Sequence, residues 1–197
     1  MRPHNLPRAR RGIAATWGST RAERERRYPC DRYLPEADAA YFRAVSVNVP
    51  PRVIYRWLCQ LRVAPYTFDW IDNGGRQSPR RLTPGVENLA PGQRVMRVFE
   101  LAEFVPDQQI TVQMASRGAV ALFGQIALSY VVTPFGPSQS RLVAKLLVRY
   151  PRRGLPALMR WFLPLGDLIM MRKQLLTLKA LAESTGGETW VASLDVV

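Results

Sequence analysis

The segment Trp161–Glu183, WFLPLGDLIMMRKQLLTLKALAE, decides the fold that we predict for this chain. Its apolar side chains recur every three or four residues, at positions 161, 168, 171, 175, 178 and 182, which is the spacing of one face of an α-helix. Leu165, Ile169 and Leu176 widen this apolar face. Gly186 and Gly187 are expected to end the helix. At roughly 20 residues it would be about 30 Å long, enough to bury its apolar face against a sheet.

Several strand-like runs precede this helix. Around Ser129 and Tyr130 apolar side chains alternate with small or polar ones, so these two residues lie on opposite faces of one strand and only one can face the interior. Short links, such as 105–108 and 135–138, favour hairpins and therefore an antiparallel sheet. The predicted strands are Phe42–Val49, Gln93–Leu101, Gln109–Ala115, Ala119–Leu122, Ile126–Thr133 and Arg141–Tyr150.

The first of these strands leads directly into an amphipathic helix. Pro50 and Pro51 end the strand and suit the first turn of a helix, where a missing N–H costs nothing. Apolar residues then share one helix face, namely Val53, Ile54, Trp57, Leu58 and Leu61. We expect Trp57, like Trp161, to lie in the core.

An aromatic-rich loop follows this helix. It covers about 64–81 and contains the turn-forming sequence Asn73-Gly74-Gly75. Loops normally lie in water and contain few large apolar side chains, so Tyr66, Phe68, Trp70 and Ile71 must cover something. Together with the long C-terminal helix, this pattern predicts a lid over a cavity.

The order of these elements resembles the START-like superfamily, also called SRPBCC, over about 41–183. The segments that carry the resemblance are Val45–Gln60, Tyr66–Asn73, Gly92–Met96 and Leu165–Leu175. The resemblance implies an α+β helix-grip fold, in which a curved antiparallel β-sheet wraps around the C-terminal α-helix and leaves a cavity between them. The superfamily includes polyketide cyclases and aromatases, plant pathogenesis-related allergens and lipid-transfer domains. It shares no catalytic motif, so no active residue can be carried over to this chain.

The implied cavity predicts binding of a hydrophobic or amphipathic small molecule, lipid- or polyketide-like. Affinity would come from buried apolar area, with a few polar groups that orient the ligand. Methionines adapt to irregular ligands, although a methionine on an apolar face is also ordinary core. The residues that we expect to contact the ligand are Tyr66, Phe68, Trp70, Met96, Met114, Tyr130, Leu168 and Met171.

An enzymatic alternative stays open. A cyclase or aromatase without metal or nucleotide cofactor could use Asp69, Tyr66 or Asp72 as an acid or base, because a desolvated carboxyl has a raised pKa. The two aspartates could equally cap or turn the glycine-rich loop.

Other charged residues also have two interpretations. Arg76, Arg80 and Arg81 could hold a carboxylate or phosphate group, or they could be solvated loop charges. Asp167 is a charge inside the apolar start of the last helix, and we expect it to pair with an arginine.

Several kinds of chemistry are excluded by the sequence. His4 is the only histidine and lies near the start of the chain, which removes histidine triads and histidine metal sites. The phosphate-binding glycine motifs and the G-x-S-x-G motif do not occur. Cys30 and Cys59 form no C-x-x-C pair, so we expect reduced thiols and no zinc site. We therefore predict no metal and no cofactor.

The formal net charge of +13 raises the question of an anionic partner. Residues 1–27 contain eight arginines and two glutamates, so much of the excess lies in a basic N-terminal extension, predicted over 1–40. A capping box between Thr20 and Glu23 predicts a short charged helix there. We expect the START-like domain over 41–185 and a tail over 186–197. No nucleic-acid motif accompanies the charge, which argues against that partner. An anionic membrane bound through the arginine-rich arm is the second alternative, for a protein that we expect in the cytoplasm.

Overall fold

The structure is a computed structural model that describes residues 12–151 and 159–194. Residues 1–11, which carry the first four arginines of the predicted basic arm, lie outside the described residues. The predicted membrane contact of residues 1–11 therefore lies outside the described part of the chain.

Six strands form one antiparallel sheet in the order β1-β6-β5-β4-β3-β2. Their bounds are β1 Ala39–Val47, β2 Arg94–Val95, β3 Phe99–Val105, β4 Gln109–Met114, β5 Gln125–Gly136 and β6 Gln139–Arg149. β5 and β6 form a long hairpin that pairs from Gln125 with Arg149 to Gly136 with Gln139. The antiparallel sheet predicted from the short links is confirmed.

The helices lie before, between and after the strands. They are α1 Ile13–Thr16, α2 Arg21–Glu25, α3 Cys30–Tyr33, α4 Pro51–Cys59, α5 Asp69–Asp72, α6 Arg117–Phe123 and α7 Met159–Leu194, and a 3₁₀ turn at Gln60–Arg62 extends α4. The predicted capping box is present at the start of α2, where Thr20 and Glu23 cap each other's backbone.

One face of the curved sheet packs against α4 and α7. The inward side chains of β6 alternate along the strand and belong to the same apolar core as the buried face of α7, so apolar area on both elements is removed from water. The buried residues on the α7 side are Met171, Leu175, Leu178 and Ala182. This arrangement is the predicted α+β helix-grip fold, with Trp57 of α4 buried in the core as expected.

The C-terminal helix differs from the prediction in two ways. It does not end at Gly186 and Gly187 but continues to Leu194, because glycine inside a helix costs only about 1 kcal/mol relative to alanine. Trp161, Leu165 and Ile169, predicted on the buried face, are exposed. The sheet covers one narrow stripe of the helix, and at about 100° per residue Ile169 lies about 160° around the helix from the buried Met171 of that stripe.

The other face of the sheet is covered by the segment around α3. Tyr28, Cys30 and Leu34 form a second apolar cluster with outward residues of β1, β5 and β6. Lys145 of β6 is buried in this cluster and pairs with Asp31 at 2.5 Å. The described part of the predicted N-terminal extension is therefore packed on the sheet.

Two segments predicted as strands differ in the structure. Ala119–Leu122 belongs to helix α6, which the Ser116 hydroxyl caps by accepting the N–H of Ala119, so the prediction of a strand is wrong. The predicted strand Gln93–Leu101 is interrupted by Met96 and Arg97, which both have positive φ angles and turn the chain from β2 into β3.

Candidate functional site

Tyr66 fixes the start of the lid loop, which we define as residues 65–81. Its backbone lies in the left-handed region with φ of 58°, a conformation that costs a tyrosine about 1–3 kcal/mol. Its side chain is buried, its hydroxyl donates to the carbonyl of Pro79 at 2.7 Å, and its ring meets Trp57 edge to face at 6.1 Å. Burial raises the pKa of Tyr66 to about 12. Tyr66 therefore joins the two ends of the loop to the core.

Asp69 makes a second contact across the lid loop, to Ser78. Its carboxylate accepts the backbone N–H of Ser78 at 2.9 Å and the Ser78 hydroxyl at 2.5 Å. Its backbone begins the short helix α5, whose last residue is Asp72. The side chain of Asp72 lies outside the described residues.

The lid loop and α7 border an open cleft of about 460 Å³. Leu176, Ala180 and Leu181 give it an apolar wall on the helix side. Two cationic side chains, Arg80 from the loop and Lys173 from the helix, line the same cleft. The remaining lining residues are Tyr66, Thr67, Asp69, Ser78 and Thr177. The cleft thus combines apolar and positively charged surface.

The space between the sheet and α7 is filled by side chains at Tyr130. This residue is fully buried and donates its hydroxyl to the side-chain oxygen of Gln174 at 2.5 Å. The sulfurs of Met96 and Met171 lie 3.8 and 3.9 Å from the same hydroxyl. Gln174 in turn donates to the carbonyl of Pro65 at 2.7 Å. Burial raises the pKa of Tyr130. Tyr130, Met96 and Met171, which we predicted as ligand contacts, therefore contact one another here. The buried Tyr130 hydroxyl has its hydrogen-bond partner in Gln174.

The other predicted ligand contacts lie apart from the cleft. Trp70 is 77% exposed and covers nothing in this conformation. Phe68 and Leu168 are half-buried, and Met114 packs at the edge of the core.

These elements, a six-stranded antiparallel sheet with a long C-terminal helix laid across it, form the START-like fold. Solved structures with this likeness include the di-domain ARO/CYC StfQ from the steffimycin biosynthetic pathway, at 16% identity and a TM-score of 0.48. The match covers 75% of this chain and 51% of StfQ, so the chain spans about half the length of that protein.

Two further solved structures are similar at the level of the fold. A START superfamily protein from Mycobacterium smegmatis is 17% identical with a TM-score of 0.37, over 70% of this chain and 98% of that one. Ara h 8.0201 is 8% identical with a TM-score of 0.46, over 74% of this chain and 97% of that one. No family model and no curated protein matches the chain.

Asp167 pairs with Arg43, so the prediction of an arginine partner is confirmed. The two side chains are buried, with 2.6 Å between the Arg43 guanidinium and the carboxylate. Burial raises the pKa of Asp167 to about 6, although the charge of Arg43 opposes the shift. Burial also lowers the pKa of Arg43. The pair attaches the first half of α7 to β1.

The cysteines and the acidic residues are the side chains to consider as possible thiol and metal sites. Cys30 and Cys59 are free and buried, as predicted, and burial raises the pKa of each thiol to about 12. In the part of the chain that the structure describes, no three His, Cys, Asp or Glu side chains are grouped to hold a metal ion. Across 12–151 and 159–194, none of the helices has an apolar stretch long enough to cross a bilayer.

Sequence reasoning missed several residues in and near the site, among them three polar ones. Ser78 binds Asp69, Lys173 lines the cleft, and Gln174 binds Tyr130. The signal for Gln174 was a polar residue next to the apolar seam of the last helix, where only a buried partner explains it. No pattern in the sequence points to Ser78 or Lys173.

Proposed function

We propose that this protein binds an amphipathic small molecule, with an apolar chain and an anionic end group, in the cleft between the lid loop and α7. One observation carries this proposal: Arg80 and Lys173 line the same cleft as the apolar wall of Leu176, Ala180 and Leu181. An apolar chain would gain from burial against that wall, and an anionic end group would meet the two cations.

The charges in the cleft favour an anion over a neutral ligand. None of the ion pairs found among the described residues involves Arg80 or Lys173. The one carboxylate that lines the cleft, Asp69, already accepts two hydrogen bonds from Ser78. The cleft therefore has two cations available for a carboxylate or phosphate group.

The size and position of the cleft suit such a ligand. Its volume of about 460 Å³ falls within the range of about 300–1,000 Å³ that is common for small-molecule sites. A site deeper between the sheet and α7 would require Tyr130 to give up its hydrogen bond to Gln174. The cleft accepts a lipid- or polyketide-like chain without that rearrangement.

The cyclase alternative meets an obstacle at the same residues. Asp69 and Tyr66 would have to leave Ser78 and the carbonyl of Pro79 before either could take a proton from a ligand. We therefore propose a binding protein and treat catalysis as the alternative. A turnover that Asp69→Asn abolishes while ligand affinity is unchanged would favour the enzyme.

The proposal is tested with two probes that differ only in their end group. A fluorescent fatty acid reports binding, and a long-chain fatty acid and the alcohol of the same chain length compete with it. Arg80→Glu is the test variant. Arg81→Glu is the matched control, because Arg81 is an exposed neighbour with the same charge that does not line the cleft.

We expect Arg80→Glu to weaken binding of the acid at least tenfold, about 1.4 kcal/mol, and to leave the alcohol within about twofold. Arg81→Glu should bind both as the wild-type protein does. Equal losses in the two variants, or an equal loss for acid and alcohol, would contradict an anion site in the cleft.

A further inference from the structure

A row of large apolar side chains lies exposed along the first half of α7. Phe162, Leu165 and Ile169 are 67%, 58% and 51% exposed, and Leu176 continues the row at 36%. Residues three and four apart lie on the same side of a helix, so these four side chains, which we call the apolar row, form one surface. From Phe162 to Leu176 the row is about 21 Å long.

The apolar row is not part of the helix face that packs against the sheet. That face is formed by Met171, Leu175 and Leu178, which are buried. At about 100° per residue, Ile169 lies about 160° around the helix from Met171. An exposed apolar surface of this extent on a folded chain marks a site of association.

The charges around the apolar row are positive. Arg172 and Lys173 follow Ile169 by three and four residues and precede Leu176 by four and three, so they lie within the row, between these two side chains. The Arg172 guanidinium also lies 5.5 Å from the centre of the Trp17 ring. The acidic side chains described on this helix are engaged elsewhere: Asp167 pairs with the buried Arg43, and Glu183 pairs with Lys179. The surface that the helix presents is therefore apolar, with two cations between Ile169 and Leu176.

We propose that the apolar row docks this protein onto an anionic lipid bilayer, with α7 lying in the plane of the membrane surface. Apolar side chains would enter the boundary between headgroups and acyl chains, and Arg172 and Lys173 would meet lipid phosphates. The formal charge of +13 favours this occupant over a second copy of the chain, because two such copies repel each other.

The docking surface adjoins the proposed ligand cleft. Leu176 belongs to the apolar row and also lines the cleft beside Lys173. A docked protein would hold the α7 wall of the cleft at the membrane surface, where amphipathic molecules are concentrated. The docking itself requires no ligand in the cleft, so the two proposals fail separately.

The test is co-sedimentation of the full chain with vesicles of phosphatidylcholine alone or mixed with phosphatidylserine. Phe162→Gln is the test variant and Phe135→Gln is the matched control, since Phe135 is 69% exposed and lies in the β5–β6 hairpin. Both side chains are mostly in water, so neither change removes a core contact. Circular dichroism verifies that both variants fold.

We expect the wild-type protein to bind the anionic vesicles and Phe162→Gln to lower the partition coefficient about tenfold, whereas Phe135→Gln leaves it within about twofold. Wild-type protein that binds neither kind of vesicle would overturn the proposal. Full binding by Phe162→Gln would also overturn it and assign the contact to another surface. A dimer that forms without lipid and is lost in Phe162→Gln, with no vesicle binding, would assign the row to a second copy.

Discussion

The carboxylate of Asp69 accepts both the backbone N–H and the hydroxyl of Ser78, at 2.9 and 2.5 Å. This contact closes a loop of ten residues, 69–78, that begins with α5 and ends beside the cleft. The residue that sequence reasoning considered as a catalytic base thus has a structural partner. The contact holds the two ends of this loop together, so the Asp69 carboxylate has a structural role here.

Asp69→Asn should loosen the lid without unfolding the protein. The change removes the charge from two hydrogen bonds, which is worth about 1–2 kcal/mol of local stability. Amide hydrogen exchange at 70–78 should become about tenfold faster, while the core strands exchange as before. Asp107→Asn is the control, because Asp107 is exposed in the β3–β4 turn. Unchanged exchange in the lid of Asp69→Asn would show that Ser78 does not hold it.

Gly124→Ala should destabilise the chain, whereas Gly118→Ala, inside the helix α6 that Gly124 ends, should not. Gly124 has φ of 88°, and a Cβ there would lie 2.1 Å from the carbonyl oxygen of Arg149. A Cβ on Gly118 has open space. We expect a loss of at least about 2 kcal/mol for Gly124→Ala and a change between zero and a gain of about 1 kcal/mol for Gly118→Ala. Urea unfolding measures both, and equal effects would contradict this packing.

Asp31→Asn should uncouple the N-terminal segment from the outer face of the sheet. Asp31 pairs with the buried Lys145 and also accepts the backbone N–H of Tyr28. Removing one partner of a buried pair costs about 3–5 kcal/mol. Glu36→Gln breaks the exposed pair with Arg149 and should cost less than about 1 kcal/mol. The free energies of unfolding should differ accordingly, and similar values for the two variants would argue that Lys145 is not held by Asp31.

Asp167 should give the stability a pH dependence of unusual sign. Burial raises its pKa from 3.8 to about 6, so between these values the folded chain holds a proton that the unfolded chain has lost. This carboxyl alone therefore lowers the free energy of unfolding as the pH rises from about 4 to 6, by up to about 3 kcal/mol.

The measurement for Asp167 is a comparison of the wild-type protein with Asp167→Asn at several pH values. The free energy of unfolding of the wild-type protein, minus that of the variant, should fall as the pH rises through this window. A difference that stays constant from pH 4 to 7 would show that the carboxyl titrates alike in both states.

The fold could be predicted from the sequence because period and length are local signals. The buried stripe of α7 and the alternation around Tyr130 follow directly from side-chain spacing. The predicted strand at Ala119–Leu122 failed because a short apolar run fits a helix equally well, and the Ser116 cap decided it. The exposure of Ile169 could have been predicted, because at about 100° per residue it lies about 160° around the helix from the buried Met171.

The candidate site was predicted only in part. Tyr66, Asp69 and Arg80 line the cleft, whereas Trp70 and Ile71, which were also expected to cover a cavity, are exposed. Trp70 could not be placed, because a loop side chain can point either way from the same backbone pattern. The packing of the segment around Cys30 depends on a contact with Ser129, 99 residues away, and such pairing is invisible to local pattern reasoning.

The most direct test of the central claim is native mass spectrometry of the full chain mixed with a long-chain fatty acid. Ala180→Trp is the variant to compare, because Ala180 is exposed on the cleft wall and an indole there would fill the cleft. We expect a single bound fatty acid on the wild-type protein and none on Ala180→Trp. Equal binding by the two proteins, or no binding by either, would contradict a ligand site between the lid loop and α7.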